Sequence, residues 1–221
     1  MAVRHKPGQR RITAGPVAHS QILDAAEDLF YLEGARNVGI DAVIKRARVN
    51  KMSLYRQFES KEDLLRQYLL RRDAKFWAYF DASLAKHPGE PRAQLRQLFV
   101  DLAARTSAAG YRGCPFVNIA VEFPDRSHAA RRMVAGNKRR LLARLRELAK
   151  AAGADDVAFL AKALALLIEG AYAASQTHGA GSSVMAALPR AAEAMIDAAT
   201  RVTVSLEKKR WISNSRTAAH W

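Results

Sequence analysis

The sequence predicts an all-α protein in which a short three-helix domain precedes a larger helical domain. Apolar residues recur at spacings of three and four along most of the 221 residues, which is the repeat of a helix with one buried face. No run of alternating apolar residues is long enough to form a strand. Glycine and proline interrupt the helical pattern, most clearly in residues 87–91. The predicted helices cover residues 17–33, 40–47, 51–58, 61–86, 91–109, 115–123, 127–152, 155–178 and 185–206.

The chain is globular in composition and strongly basic. Its 36 Lys and Arg residues outnumber 21 Asp and Glu residues, which leaves a formal charge of +15. A chain this basic repels itself unless its charge meets an anion, so nucleic acid is the first partner to test. The single cysteine excludes an intramolecular disulfide and fits a reducing, cytoplasmic setting. We see no secretory signal, and the longest charge-free stretch, residues 170–189, is too polar to cross a membrane.

Residues 40–58 have the pattern of a helix-turn-helix. Two short helices flank a break at residues 48–50, and Leu54 and Phe58 lie on one apolar face of the second helix. Residues 36–56 carry six Lys or Arg against one acid, Asp41, so this stretch alone is +5. A solvated surface helix would mix its charges more evenly. The pattern therefore predicts that the second helix presents Lys51, Arg56 and their polar neighbours to an anionic duplex.

The segment Val-Asn-Lys-Met-Ser-Leu-Tyr-Arg-Gln-Phe-Glu-Ser-Lys-Glu-Asp-Leu-Leu, residues 49–65, resembles the DNA-binding domain of the TetR family of bacterial transcriptional regulators. The resemblance extends over residues 34–65, with residues 22–26 and 29–30 before them, and the all-helical remainder also suits the family. The sequence departs from the family pattern at Val38-Gly39, where a Thr or Ser pair is usual, and at Val43-Ile44. Arg48 replaces the turn glycine, and Asn50 replaces a serine but can still cap a helix. These departures bear on the operator sequence rather than on DNA binding.

The resemblance implies a role for each residue around the second helix. Tyr55 and Lys61 would hold backbone phosphates, and Arg48 could add a third such contact. The alternative for Tyr55 is partial packing in the core. The residues that would lie at or beside base edges in the major groove are Asn50, Lys51, Met52, Ser53 and Arg56. The basic tail from Arg4 to Arg11 could add phosphate or minor-groove contacts.

The resemblance also divides the chain into domains. Residues 1–16 form a basic tail, 17–62 the DNA-binding domain, 63–206 a domain for effector binding and dimerisation, and 207–221 a second basic tail. Helices 155–178 and 185–206 are rich in alanine and aliphatic residues on more than one side. Pairing with a second copy would bury them in a four-helix bundle, so we expect a homodimer on a palindromic operator. Burial within one chain is the alternative.

An effector cavity is predicted near an unusual mixture of apolar and polar residues. The candidate residues are Phe80, from an aromatic cluster on the fourth helix, and Cys114, Phe116, Asn118, Glu122 and Phe123. An aromatic stripe at helical spacing also occurs in an ordinary core. Cys114 could sense redox state or be an inert buried thiol. The basic run in residues 131–150, with a net charge of +7, is either a solvated face or a site for an anionic effector or DNA.

The motifs of common enzymes are missing from the sequence. The six histidines are scattered, and we find no P-loop, dinucleotide-binding glycine motif or nucleophile elbow. We therefore expect a DNA-binding regulator without enzymatic activity, cofactor or metal, and more specifically a repressor that responds to an unknown small-molecule effector. The alternative is an architectural DNA-binding protein that needs no effector and no cavity.

Overall fold

The computed structural model describes residues 15–179 and 181–200. This part of the chain is helical throughout and contains no strand, which confirms the predicted fold class. Both predicted basic tails lie almost wholly outside the described residues. The helices are α1 (Gly15–Leu29), α2 (Ile40–Ala47), α3 (Lys51–Gln57), α4 (Lys61–Leu84), α5 (Pro91–Thr106), α6 (Pro115–Glu122), α7 (Ala129–Ala151), α8 (Val157–Thr177), α9 (Ser183–Ala186) and α10 (Leu188–Ala199).

Two helix boundaries differ from the prediction for identifiable reasons. Helix α1 continues into a π-helical turn, Phe30–Gly34, and Gly34 ends it with a φ of 90°. The helix predicted over 185–206 is two helices within the described residues, α9 and α10. Pro189 lies in the first turn of α10, where its missing N–H and fixed φ favour the start of a helix over its interior.

The start of α4 is capped as its sequence predicts. The side-chain oxygen of Ser60 accepts a hydrogen bond from the backbone N–H of Asp63 at 3.1 Å. The Asp63 carboxylate reaches back to the N–H of Glu59 at 3.3 Å, one residue before the position of a standard capping box. The cap therefore positions the first residue of α4, Lys61, directly after the helix-turn-helix.

The three N-terminal helices pack onto α4 through one continuous core. Leu54 and Phe58 are buried beside Ile22 and Val43 of the small domain. Phe30 meets Tyr68 of α4 edge to face, with ring centroids 5.6 Å apart. Helices α5, α7, α8 and α10 form the larger core, and α6 lies between the π-helical turn and α7. The helix-turn-helix, α2 and α3, is thus attached to the larger domain by packed side chains rather than by a free linker.

A buried carboxylate also joins α1 to α4. Glu27 is only 8% exposed and bonds Arg72 at 2.7 Å and Lys75 at 2.6 Å, while Arg71 lies 3.4 Å away. Burial raises the pKa of this carboxyl, but hydrogen bonds and charges from Lys75 and Arg72 outweigh burial and hold the pKa below its ordinary value. Glu27 is therefore ionised at neutral pH and ties the two helices together.

Helix α8 is long and apolar enough to cross a membrane by length and composition alone. Leu160, Leu164 and Ile168 of this helix are buried in the core of the larger domain. One such helix is weak support for a membrane location, since a core helix of a soluble protein passes the same test.

Candidate nucleic-acid interface and ligand cavity

The turn between α2 and α3 is closed by an arginine in the left-handed conformation. Arg48 has φ 56° and ψ 35°, and its N–H donates to the carbonyl oxygen of Lys45 at 3.3 Å. Val49 N–H donates to the carbonyl oxygen of Ile44, also at 3.3 Å, so the last carbonyls of α2 are satisfied. This backbone conformation is the one that glycine adopts without strain, and Arg48 adopts it with its side chain exposed.

Asn50 caps the helix that follows. Its side-chain oxygen accepts a hydrogen bond from the N–H of Ser53 at 2.8 Å. Because the side-chain oxygen is used in the cap, the side-chain NH₂ of Asn50 remains available as a donor. Ser53 is half-buried. Asn50 is thus a structural cap whether or not its amide also meets a base.

Helix α3 separates its apolar and exposed faces as the sequence predicts. Leu54 is fully buried, while Lys51 and Arg56 are exposed. Met52 is 65% exposed and Tyr55 is 49% exposed, so both present apolar surface to solvent. A half-exposed Tyr55 is compatible with partial packing in the core and leaves its hydroxyl end free for a phosphate. The contacts of these side chains with DNA remain a prediction.

Positive charge on this surface is largely uncompensated. Arg46 pairs with Asp28 at 3.1 Å, whereas the Arg36 guanidinium donates to the carbonyl oxygen of Glu122 at 3.1 Å. Within residues 15–179 and 181–200, the other four cations of the stretch have no carboxylate within 4 Å. They are Lys45, Arg48, Lys51 and Arg56, all of them exposed. Lys45 is not one of the DNA-binding residues predicted from the sequence. It is exposed on α2 and so belongs to the same cationic surface.

Lys61 lies at the edge of the same surface but already has a partner. Its side-chain nitrogen donates to the carbonyl oxygen of Arg36 at 3.1 Å, and the side chain is half-buried. An ammonium group has two further donors, so a phosphate contact is compatible with this bond. The observed role of Lys61 is to hold the α1–α2 connection against the start of α4.

A cavity of about 380 Å³ lies where the π-helical turn after α1, helices α4, α5 and α8, and the start of α6 with the segment before it meet. Its wall is built mainly from aromatic rings and three cations, and it contains no carboxylate among the described residues. The side chains that shape it are Tyr31, Arg72, Lys75, Phe76, Tyr79, Arg105, Tyr111, Cys114, Phe116 and Tyr172. A larger cleft of about 600 Å³ separates α3 from the start of α7, and its wall mixes acidic and basic residues.

The structure brings some of the predicted ligand residues to the cavity. Cys114 and Phe116 line it. Phe80 lines a small adjoining space of about 30 Å³, which shares Tyr79 and Tyr172 with the cavity. Cys114 is buried, and its sulfur lies 3.7 Å from the side-chain nitrogen of Lys138, which itself pairs with Glu169 at 2.6 Å.

The other three predicted ligand residues do not line the cavity. Asn118 donates to the carbonyl oxygen of Arg112 at 3.0 Å. Glu122 accepts a hydrogen bond from the backbone N–H of Arg36 at 2.9 Å, and Arg36 returns one to the Glu122 carbonyl oxygen at 3.1 Å. The ring of Phe123 packs on His128, with centroids 4.6 Å apart. Glu122 therefore connects α6 to the DNA-binding domain instead of facing a ligand.

Tyr31, which the sequence analysis did not select, connects the cavity to α1. Its hydroxyl donates to the carbonyl oxygen of Gly113 at 3.0 Å and accepts from the N–H of Arg112 at 2.7 Å. The Arg72 guanidinium stacks over its ring at 4.6 Å. Burial raises the pKa of the Tyr31 phenol, so it stays protonated and can donate. The pairing spans 82 residues, and no local sequence pattern signals it.

Much of the basic run on α7 is satisfied inside the protein. Arg131 donates to the carbonyl oxygens of Ala120 and Phe123. Arg140 lies over the Trp77 ring at 4.0 Å, and Arg144 pairs with Asp81 at 3.2 Å. These contacts favour a structural role over a free anion-binding patch for this part of the run.

A helix-turn-helix with an exposed cationic helix, joined to a larger helical domain, defines a DNA-binding transcriptional regulator. Two family models match the chain. That of the bacterial regulatory proteins of the tetR family covers residues 22–68, and that of the tetracyclin repressor-like C-terminal domain covers residues 89–191. The chain belongs to the TetR family, whose members are non-enzymatic regulators, in agreement with the sequence analysis.

Known proteins with similar sequences and folds support this assignment. The transcriptional regulator AcuR of Cereibacter sphaeroides is 34% identical over 142 residues, which span 58% of this chain and 62% of that relative. A TetR-family regulator from Streptomyces coelicolor is 28% identical with a TM-score of 0.80, covering 84% of this chain and 97% of the other. A TetR regulator from Streptomyces avermitilis is 30% identical with a TM-score of 0.73, covering 84% and 99%.

Proposed function

We propose that the protein is a cytoplasmic, homodimeric repressor that binds a palindromic operator and releases it when a small molecule enters the 380 Å³ cavity. Residues 17–62 bind DNA, and residues 63–206 bind the effector and dimerise. Arg48, Tyr55 and Lys61 contact phosphates, while α3 presents its polar residues to base edges in the major groove. The uncompensated charge of α2 and α3 supports the first part of this proposal.

The proposed ligand response is supported above all by the hydrogen bonds of the Tyr31 hydroxyl. This side chain lines the cavity and belongs to the same helical unit as the DNA-binding core, yet it bonds Arg112 and Gly113 of the segment before α6. A ligand that contacts Tyr31 or displaces this segment favours a different placement of α1. Because a ligand shifts an equilibrium only by its differential affinity for the two states, the effector must prefer the arrangement that cannot bind the operator.

An apolar surface on α8 and α10 supports dimerisation. Phe159 and Leu166 of α8 are 65% and 73% exposed. Four exposed alanines recur on α10 and just before it at spacings of three and four: Ala187, Ala191, Ala194 and Ala198. Small residues on one helix allow close approach of a second helix, and a second copy would bury the whole surface in a four-helix bundle. The two α3 helices would then read half-sites about 34–36 Å apart.

Selection of bound fragments from random and genomic DNA tests the DNA-binding part. We expect a palindromic consensus from wild-type protein. Arg56→Ala should cost about 1–3 kcal/mol and relax specificity at one position per half-site, whereas Tyr55→Ala should weaken all duplexes alike. Arg126→Ala removes an exposed arginine between α6 and α7 and is the matched control. Unchanged affinity in both α3 variants would contradict the assignment of the reading helix.

Elution of the selected complexes with a panel of metabolites tests the ligand response. Release by one chemical group of metabolites, and not by the others, supports an effector-responsive repressor. Operator binding that no metabolite alters would favour the architectural alternative, which needs no cavity.

A further inference from the structure

One cation of the cavity wall has no carboxylate partner among the described residues. Arg72 and Lys75 are both bonded by Glu27, at 2.7 Å and 2.6 Å. Arg105, from the last turn of α5, has no carboxylate within 4 Å among residues 15–179 and 181–200, and its guanidinium lies 5.4 Å from the centre of the Tyr79 ring. Asp101 lines the small adjoining space, but Lys86 binds it at 2.7 Å.

A largely buried tyrosine lines the same part of the cavity. Tyr172 is 4% exposed and lines both the cavity and the adjoining space, as Arg105 does. The hydrogen bonds of the described chain include none from the Tyr172 hydroxyl. Burial raises the pKa of this phenol well above its ordinary value, so it is a neutral donor at neutral pH. A donor that makes no hydrogen bond and lies at a cavity wall is available to a ligand.

Flat aromatic rings form part of the same wall. The rings of Phe76, Tyr79 and Phe116 line the cavity beside Arg105 and Tyr172. A volume of about 380 Å³ lies at the small end of the range for ligand pockets, about 300–1,000 Å³. The space therefore suits a small, flat molecule whose body lies against rings.

We infer that the cavity binds a small organic anion, a carboxylate joined to an aromatic or similarly flat group, with Arg105 as its charge partner and Tyr172 as its second donor. The guanidinium donates to the carboxylate oxygens in the fork geometry that favours carboxylates over neutral groups. The phenol of Tyr172 donates to the same carboxylate. This inference rests on the ligand response proposed above and specifies the chemistry of its effector.

Matched pairs of acid and amide test the inference directly. Purified full-length protein without DNA is titrated calorimetrically with benzoate and benzamide, cinnamate and cinnamamide, and 1-naphthoate and 1-naphthamide. We expect the acids to bind and each amide to bind at least tenfold more weakly. Arg105→Met should weaken acid binding about 10- to 100-fold, the range for losing a hydrogen bond to a charged group. Tyr172→Phe should weaken it several-fold.

Two further variants keep the result interpretable. Arg105→Lys keeps the charge without the fork and should retain part of the affinity, whereas Arg126→Met removes an exposed arginine between α6 and α7 and should change nothing. Circular dichroism checks that each variant is folded. The inference is overturned if amides bind as well as acids, if Arg105→Met binds acids like wild type, or if none of the acids binds.

The test separates this inference from the proposed function because it needs no DNA. An acid that binds through Arg105 without releasing the operator would contradict the ligand response and leave the anion site standing. A neutral metabolite that releases the operator would support the ligand response and contradict the anion site.

Discussion

The hydroxyl of Tyr31 donates a hydrogen bond to the carbonyl oxygen of Gly113 across 3.0 Å, and so joins the end of α1 to the wall of the cavity. The same hydroxyl accepts the N–H of Arg112 at 2.7 Å, so one side chain holds the backbone of two consecutive residues in the segment that precedes α6. This contact joins the DNA-binding unit to the cavity wall directly, without an intervening helix.

Replacing Tyr31 with phenylalanine should uncouple the two domains. The variant keeps the ring and its stacking with Arg72 but loses both hydrogen bonds, at a cost of about 1 kcal/mol in the free energy of unfolding. We expect operator affinity to be retained and its dependence on effector to fall toward none, as measured by fluorescence anisotropy with and without effector. Tyr79→Phe is the control, since its hydroxyl lies at the same cavity but makes no hydrogen bond within the described chain. A full effector response from Tyr31→Phe would contradict this role.

Arg48 gives a test in which strain and charge are separated. Arg48→Gly and Arg48→Ala lose the same charge, but only glycine accepts a φ of 56° without strain. We expect the Gly variant to be the more stable of the two. Its free energy of unfolding, measured by urea titration, should exceed that of the Ala variant by about 1 kcal/mol. If Arg48 contacts a phosphate, both variants should lower the slope of log affinity against log salt by about 1. Equal stability of the two variants would contradict the strain at this turn.

Glu27 should make the free energy of unfolding decrease as the pH falls. Its folded pKa lies below the value of 4.5 expected when unfolded, so its contribution is complete above that value and is lost as the pH falls through the folded pKa. Glu27→Gln should lower the free energy of unfolding by about 2–3 kcal/mol at pH 7, with a smaller difference in acid.

Urea titrations from pH 7 to pH 3 measure this difference. Asp28→Asn is the control on the same helix, because Asp28 pairs with Arg46 where both side chains are more than half exposed, and it should change stability by less than about 1 kcal/mol. A Gln variant as stable as wild type at pH 7 would show that the α1–α4 connection does not depend on this carboxylate.

The exposed face of α8 predicts a dimer that one charge disrupts. Leu166→Glu places a carboxylate in the centre of the surface that a second copy would bury, so we expect monomers by light scattering and weaker binding to a palindromic operator. Leu70→Glu changes an exposed leucine on α4 and should leave the mass unchanged. A wild-type protein that is monomeric at micromolar concentration would refute the proposed interface.

Local sequence determined the elements that carry DNA recognition. Leu54 and Phe58 lie one helical turn apart, so their burial leaves Arg56 on the opposite side, whereas Lys51 is exposed as the first residue of the helix. The caps at Asn50 and Ser60 involve groups only three residues apart, Ser53 and Asp63, and they follow from residue type and position. Such features need no knowledge of the rest of the chain, because the interacting groups are close in sequence.

Tertiary structure alone decided which residues surround the cavity and how it connects to DNA recognition. Tyr31 meets Gly113 across 82 residues, and Glu122 meets Arg36 across 86. Helical periodicity identifies one face of α6 as buried but does not say which neighbour covers it, and this is why Glu122 was assigned to a ligand instead of to Arg36. Spacing along a helix fixes the direction of a side chain relative to its own axis, whereas its partner depends on how whole helices pack.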